Sequence, residues 1–416
     1  MSQVRELSEA DLDDFIAILA NSYPMFQLNT ADDRQRMKQR LLTRLAEPTN
    51  HFYGLYREGT LIGGMLLHDF VMNCLSIKLK AGGVGLVAID LLYKKTHGAK
   101  DLIEFFLKYY KGQGATMTLL YPFRPDFYKK MGFGYGTKIH QYHVRPDDLP
   151  SGGAKQHVIY MQPDDIQLLR ACYDAYLTET HGMIEKSALE LSNMFTNGEN
   201  RIVGYKKDGA VTGYIVFTFK SAKQDNFVHN DLHVKEFIYK DRAAMVGLFA
   251  FLRAQADQLN RIVFNTQDEY FHYLLRDPRN GSNNLLPHVY HETNTQGVGL
   301  MYRVVDTPGI FRLLADHSFG DQSCRLKLTV DDDFFPENNT STTIDFVNGR
   351  PRITADDAGA VAVRLNVADF SSLLVGAVPF RSLYAYGLAE VSEPSAVTML
   401  DRLFRTEQKP ICTTPF

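Results

Sequence analysis

Two stretches of this 416-residue sequence carry residues able to do chemistry. The first is Ala81-Gly82-Gly83-Val84-Gly85-Leu86-Val87-Ala88-Ile89-Asp90-Leu91-Leu92-Tyr93-Lys94-Lys95-Thr96-His97-Gly98-Ala99-Lys100-Asp101. It reads as a strand running into a basic, glycine-containing turn that opens a helix. Backbone N–H groups at a helix start attract anions, and the lysines add positive charge, so the turn suits a pyrophosphate. A solvated lysine pair ahead of an ordinary helix would read the same way in isolation. The second stretch, Tyr121-Pro122-Phe123-Arg124-Pro125-Asp126-Phe127-Tyr128-Lys129-Lys130-Met131-Gly132-Phe133, follows the next strand. On burial habits alone, Tyr128 would be one more packing aromatic among 22 tyrosines.

The elements that must position these residues occur twice. Arg57-Glu58-Gly59-Thr60-Leu61-Ile62-Gly63 returns 150 residues later as Lys207-Asp208-Gly209-Ala210-Val211-Thr212-Gly213. In each copy the acidic-Gly pair is a hairpin signal between aromatic or β-branched runs. Strand-like Val84–Ile89 leads to a helix from about Gly98 to Lys111 and then Met117–Tyr121; Leu232–Tyr239 leads to a helix from about Ala243 to Asn260 and then Arg261–Phe264. Both helices space their apolar residues for one buried face. The order strand, helix, strand therefore predicts tandem α/β units.

A break at Arg145-Pro146-Asp147-Asp148-Leu149-Pro150-Ser151-Gly152-Gly153 separates the copies. A softer boundary falls between Asn294 and Pro308. Beyond it, short alternating runs at Cys324–Val330, Thr342–Val347 and Val361–Asn366 predict an antiparallel sheet, and Val367–Val375 and Ser395–Phe404 predict helices. The expected modules are 1–148, 149–300 and 301–416.

Composition narrows the function. Hydrophobic residues make up 45% of the chain and charged residues 22%, which excludes global disorder. A formal charge of −3 argues against nucleic acid as a partner. No uncharged apolar run reaches about 18 residues and no basic, apolar leader opens the chain, so a cytoplasmic protein without a membrane span is expected. Cys74, Cys172, Cys324 and Cys412 are too dispersed for a disulfide framework or a zinc site, and no metal is expected. Asp32-Asp33 and Asp331-Asp332-Asp333 read as solvated or capping acids.

With these motifs in place, the chain resembles the GCN5-related N-acetyltransferase (GNAT) superfamily, whose strand-turn-helix carries R/Q-x-x-G-x-G/A and whose next strand is followed by F-Y-x-x-x-G-F. The tandem copy, the last module and the ending Leu403-Phe404-Arg405-Thr406-Glu407-Gln408-Lys409-Pro410-Ile411-Cys412-Thr413-Thr414-Pro415-Phe416 narrow the resemblance to acetyltransferases of the enhanced intracellular survival (Eis) type. It covers essentially the whole chain. It implies an active GNAT domain, a degenerate GNAT domain and a sterol-carrier-protein-like α+β domain.

Acetyl-CoA is then the implied cosubstrate. The backbone of Val87, Ala88 and Ile89 would pair with its pantetheine arm, and Lys94, Lys95, Thr96, His97, Gly98 and Ala99 would cradle its pyrophosphate. With Lys94 at the R/Q position, His97 replaces the first glycine. The register starting at Lys95 would instead end on Lys100, a large residue where backbone must approach phosphate. Tyr128 aligns with the tyrosine that protonates or stabilises the leaving thiolate, a task suited to a phenol with pKa near 10. No side chain stands out as the base; the resemblance assigns it to the carboxylate of Phe416.

The implied reaction is acetyl transfer to an aminoglycoside, another polyamine-like molecule or a lysine, by direct attack in a ternary complex. The resemblance also implies a homo-oligomer, often a hexamer. The second copy has Lys240-Asp241-Arg242-Ala243-Ala244 at its turn and lacks Y-x-x-x-G-F, which makes it structural. The alternative function is a hydrophobic-ligand or lipid-binding protein whose acetyltransferase domains are inert.

Overall fold

The computed structural model describes residues 2–222 and 229–416. Up to Gly136 the chain forms β1 (Ser2–Glu6), α1 (Leu12–Ser22), α2 (Ala31–Leu45), β2 (Asn50–Arg57), β3 (Thr60–Cys74), β4 (Ile77–Ile89), α3 (Gly98–Gly112), β5 (Met117–Leu120), α4 (Pro125–Lys129) and β6 (Gly134–Tyr135). Next come β7 (Ile139–Val144), β8 (Val158–Tyr160), α5 (Ile166–Glu179), α6 (Ala188–Thr196), β9 (Arg201–Lys207), β10 (Ala210–Ser221), β11 (Asn230–Tyr239), α7 (Arg242–Arg253) and β12 (Leu259–Thr266), then the short β13 (Leu285–Leu286), β14 (Tyr290–His291) and β15 (Thr295–Gly297). The remainder holds β16 (Met301–Val304), α8 (Thr307–Leu313), β17 (Cys324–Asp331), β18 (Thr340–Val347), β19 (Arg350–Thr354), β20 (Val361–Asn366), α9 (Val367–Leu374), α10 (Phe380–Ala385), β21 (Ala389–Val391) and α11 (Val397–Leu403).

These elements form two compact units. The first comprises residues 1–136, 300–410 and 415–416; the second comprises 137–299 and 411–414. In the first, a mixed sheet of order β1-β2-β3-β4-β5-β16-β6 accompanies a smaller one of order β19-β18-β17-β20-β21. The second unit has a sheet of order β15-β7-β12-β11-β10-β9-β8. The tandem repeat is real at the level of register: Gly63 faces Ile89 in one copy and Gly213 faces Tyr239 in the other. Both hairpins turn on acidic-Gly pairs with positive φ, 50° and 82° at Glu58-Gly59 and 52° and 83° at Asp208-Gly209, the geometry of a type I′ turn.

Strands β3 and β4 are buried on both faces because helices cover both. Met65 and Leu67 pack with Leu102, Ile103 and Phe106 of α3, while Leu66 packs with Leu12, Phe15 and Leu19 around α1. The period of two in the strand and the one-sided stripe in α3 together specify that sandwich.

Three sequence expectations need correction. The sheet of the last module is mixed, since β20 runs parallel to β17 while β18 is antiparallel to it. Alternation marks a strand but is blind to its direction. The helix of the second copy stops at Arg253, and residues 254–258 reverse the chain so that Leu259 can pair beside Asn230. Finally, Asp332 is neither solvated nor exposed.

Asp332 is fully buried and holds the equally buried Arg303 of β16 through two bonds of 2.8 and 2.9 Å. Its oxygens also accept from the Phe335 amide at 2.9 Å and from Asn338 Nδ2 at 3.1 Å. Arg303 continues to the Gly132 carbonyl at 3.3 Å, so this pair braces the segment after Tyr128. Gly132 has φ of 84°, and a Cβ there would strike the Arg303 guanidinium, which explains a glycine at that place. Asp332→Asn strands a buried guanidinium without its counter-charge, and urea unfolding should register a loss of about 3–5 kcal/mol.

Candidate functional site

The site in the first unit begins where two parallel strands part. Pairing of β4 with β5 ends at Gly83 opposite Leu119, although β4 runs on to Ile89. Gly82 and Gly83 are needed just before this point, because a Cβ would strike the rings of Tyr110 and Phe70 respectively. The pairing of β4 with β3 shifts between Gly64 and Leu66, which face Ala88 and Gly85. Leu86 within this bulge has φ of 49°, left-handed backbone that swings the end of β4 outward.

Ala88 is committed to β3 through Gly64. The carbonyls of Val87 and Ile89 accept from Tyr23 Oη at 2.7 Å and Ser22 Oγ at 3.0 Å, so the end of α1 satisfies this edge. An extended amide-bearing chain would find the same edge by exchanging with those hydroxyls.

The turn from Lys94 to Ala99 leads into α3, whose Gly98 is buried while Lys94, Lys95, Thr96 and His97 are exposed. His97 has φ of 66°, a conformation glycine adopts freely and which other residues occupy at a cost. Lys95 shares that left-handed backbone, with φ of 63°. Gly98 lies close to the strand, and a Cβ there would meet Ile89 and Leu55 at 3.1 Å.

Arg57, which sequence reasoning used only as part of the repeat, braces the turn from the hairpin. Its Nη1 donates to Thr96 Oγ1 at 2.7 Å and its Nη2 to the Thr96 carbonyl at 2.5 Å. Thr96 Oγ1 in turn donates to the Tyr93 carbonyl at 2.7 Å. The turn therefore presents its lysines from a braced backbone with a helix N-terminus behind it.

Tyr128 lies in the apolar cluster with Met131, Phe133 and Phe106, and is 3% exposed. Burial, followed by the neighbouring Tyr23 phenol, pushes its pKa well above the ordinary tyrosine value. It stays protonated across the physiological range.

Phe416 also belongs to this unit. Its ring packs at 4.8 Å from Phe70, 5.1 Å from Tyr121 and 5.6 Å from His68, centroid to centroid. A Cβ on Gly85 would lie 3.5 Å from its carboxyl carbon and 3.6 Å from His68 Nε2. The carboxyl group is thus set against β4 beside the bulge.

His68 was missed in the sequence because nothing distinguishes it among 13 scattered histidines. It stacks on Phe70 with ring centroids 5.4 Å apart, and its Nδ1 lies 2.8 Å from Asn50 Oδ1. Its Nε2 is buried without a hydrogen-bond partner among the described residues. Tyr23 and Ser22 were missed for a related reason: only the folded chain brings them 64 and 67 residues across to β4.

Comparison with known protein families places this geometry. An acetyltransferase (GNAT) domain model matches residues 3–136, a second GNAT domain model matches 182–304, and a sterol carrier protein domain model matches 311–413. This chain is a GNAT N-acetyltransferase that also carries a sterol carrier protein domain.

Solved structures share the acetyltransferase's fold along its whole length. A GCN5-related N-acetyltransferase from Anabaena variabilis is 17% identical with a TM-score of 0.82, each chain covered fully. One from Kribbella flavida is 18% identical with a TM-score of 0.79, covering 100% of this chain and 98% of that one. Eis1 from Mycobacterium abscessus is 16% identical with a TM-score of 0.77, again with full coverage of both. No curated protein matches the sequence.

The splay, the braced lysine turn and the buried phenol fit acetyl-CoA, the cosubstrate of GNAT domains. No helix of the acetyltransferase is long and apolar enough to cross a membrane, and no group of three potential metal ligands occurs, both among the described residues. Cys74, Cys172 and Cys412 are buried and Cys324 is half-buried.

His68 gives the acetyltransferase a specific acid sensitivity. Its burial, with smaller contributions from Arg44 and His51, lowers its pKa to about 3. Below the ordinary value near 6.5 the unfolded chain takes up a proton that folded His68 refuses, so its contribution to stability is full above that pH and is lost toward pH 3. Urea titrations at pH 7 and pH 5 should show about 2 kcal/mol less of this share at the lower pH, and His68→Gln should remove that difference.

Proposed function

We propose that the acetyltransferase transfers an acetyl group from acetyl-CoA to an amine by direct attack within a ternary complex. The supporting observation is the lodging of Phe416 against β4 with its carboxyl group beside Gly85. In this reading residues 1–148 are catalytic, 149–300 form a degenerate copy and 301–416 supply the sterol-carrier-like module and the tail.

Val87 and Ile89 hold the pantetheine arm along the open edge of β4, while Ala88, paired to β3, keeps that edge in place. The Lys94 to Ala99 turn holds the pyrophosphate with backbone N–H groups and lysine charge. The acceptor arrives largely as an ammonium ion. The ammonium gives up one proton to water, the freed amine nitrogen bonds to the thioester carbonyl carbon while the Phe416 carboxylate takes a second proton from it, and the carbon–sulfur bond breaks. Tyr128 gives its proton to the departing thiolate. The products are an N-acetyl amide and coenzyme A.

The acceptor class proposed is a polyamino molecule such as an aminoglycoside, or a lysine side chain, as the Eis-type resemblance implies. A homo-oligomer is the assembly that goes with it.

Deleting Phe416 should lower turnover by about two to four orders of magnitude, the range expected for loss of a general base, with thermal unfolding unchanged. Free-thiol release from acetyl-CoA with a panel of amines measures it, and full turnover would defeat the assignment. Tyr128→Phe should cut kcat more than it alters KM for acetyl-CoA; an undiminished kcat would remove Tyr128 as the acid.

A further inference from the structure

The second copy repeats the parting of strands that makes the first site. Its parallel pairing ends at Val234 opposite Phe264, while β11 runs on to Tyr239. The pairing of β10 with β11 shifts between Val216 and Phe217, which face Glu236 and Val234. Glu236 stands 150 residues after the bulge residue Leu86, the same displacement as the sequence repeat.

What would be the phosphate end of this second cleft is closed to anions. Asp241 caps α7 by accepting from the Ala244 amide at 2.7 Å, so a carboxylate already occupies the helix start. The open end is furnished for a different ligand.

Residues 411–414 belong to this unit and bond to both arms of the parted strands. On the β11 side, Glu236 accepts from Thr413 Oγ1 at 2.7 Å and, through its other oxygen, from Tyr214 Oη at 2.8 Å. On the β12 side, Gln267 Oε1 accepts the Cys412 amide at 2.6 Å. The Ile411 amide donates to the His181 carbonyl at 2.8 Å.

Lys186 completes the arrangement. Its Nζ lies 3.2 Å from Glu236 Oε1 and 3.3 Å from Thr414 Oγ1, and 4.7 Å from the centroid of the Tyr173 ring. Lys186 and Glu236 are both buried, with side chains 7% and 6% exposed. A buried ion pair of this kind adds little net stability, because desolvation offsets the attraction between the charges. Here the groups it holds are two threonine hydroxyls of an irregular segment whose other two residues, Ile411 and Cys412, are apolar.

We infer that the cleft of the second copy is a peptide clamp, in which Lys186, Glu236 and Gln267 grip the extended segment Ile411–Thr414 where the first copy would take the arm of its cosubstrate. Thr414 precedes Phe416 by two residues, so a gripped Thr414 confines the carboxylate to within about 7 Å of a fixed point. Lys186, Glu236 and Gln267 are then positioning residues; their consequence for turnover rests on the function proposed above.

The test uses the full chain with Thr413→Val and Thr414→Val together, which remove the gripped hydroxyls while conserving shape. Hydrogen–deuterium exchange read by mass spectrometry should show the amides of Ile411 and Cys412 exchanging at least tenfold faster than in the wild type. Thr413→Ser with Thr414→Ser should restore the slow rate. Gln267→Leu, which deletes an acceptor on the other arm, should speed the Cys412 amide as well. Exchange that is unprotected in the wild type, or no faster in the valine variant, overturns the clamp. Faster exchange accompanied by a fall in kcat at constant KM for acetyl-CoA upholds both readings. Faster exchange with unchanged turnover upholds the clamp and removes the carboxylate from the reaction.

Discussion

The architecture turns on one constraint: a parallel pair of strands cannot stay hydrogen-bonded once one of them is bulged away. In the first copy the left-handed Leu86 takes β4 off its line, pairing with β5 stops at Gly83, and backbone groups that a continuous sheet would have used must be satisfied otherwise. Hydroxyls of Ser22 and Tyr23 do so at Ile89 and Val87. Hydroxyls can be exchanged for other donors in a way a paired strand cannot, so the cleft remains a place where an extended amide chain can lie.

Polar bonds tie the sterol-carrier-like module to that sheet, one of them fully buried and one partly so. Arg303 sits in a strand of the first sheet and pairs with Asp332 at the end of β17; Lys129 of α4 meets Asp369 of α9 at 2.7 Å. Gly134 lies so close to α9 that a Cβ would strike the Ala368 carbonyl. Helix α4, which carries Tyr128, and the segment after it are therefore held by the last third of the chain. Since breaking a buried charge pair leaves an uncompensated ion, the arrangement resists piecemeal change.

Much of this was legible from residue order. The 150-residue repeat, the acidic-Gly hairpins, the strand and lysine turn before α3 and the aromatic segment around Tyr128 are local patterns, and each appears as an element where the pattern put it. Asp332 was misread because an Asp-rich triplet looks solvated until Arg303, 29 residues earlier, is found against it. The direction of β20 escaped because alternation has no sign. His68 carries no motif, and its importance comes from Asn50, Phe70 and the terminal ring gathering around it.

Local order thus determined which segments become helices and strands, where they repeat, and which turn concentrates lysines at a helix start, because propensity, periodicity and turn chemistry act over a few residues. Tertiary structure alone decided that β4 parts from β5, that an internal acid is fully buried, and that residues hundreds of positions apart share one cleft. Those outcomes depend on burial and on hydrogen-bond partners supplied from distant parts of the chain, and no short window of sequence contains both members of such a pair.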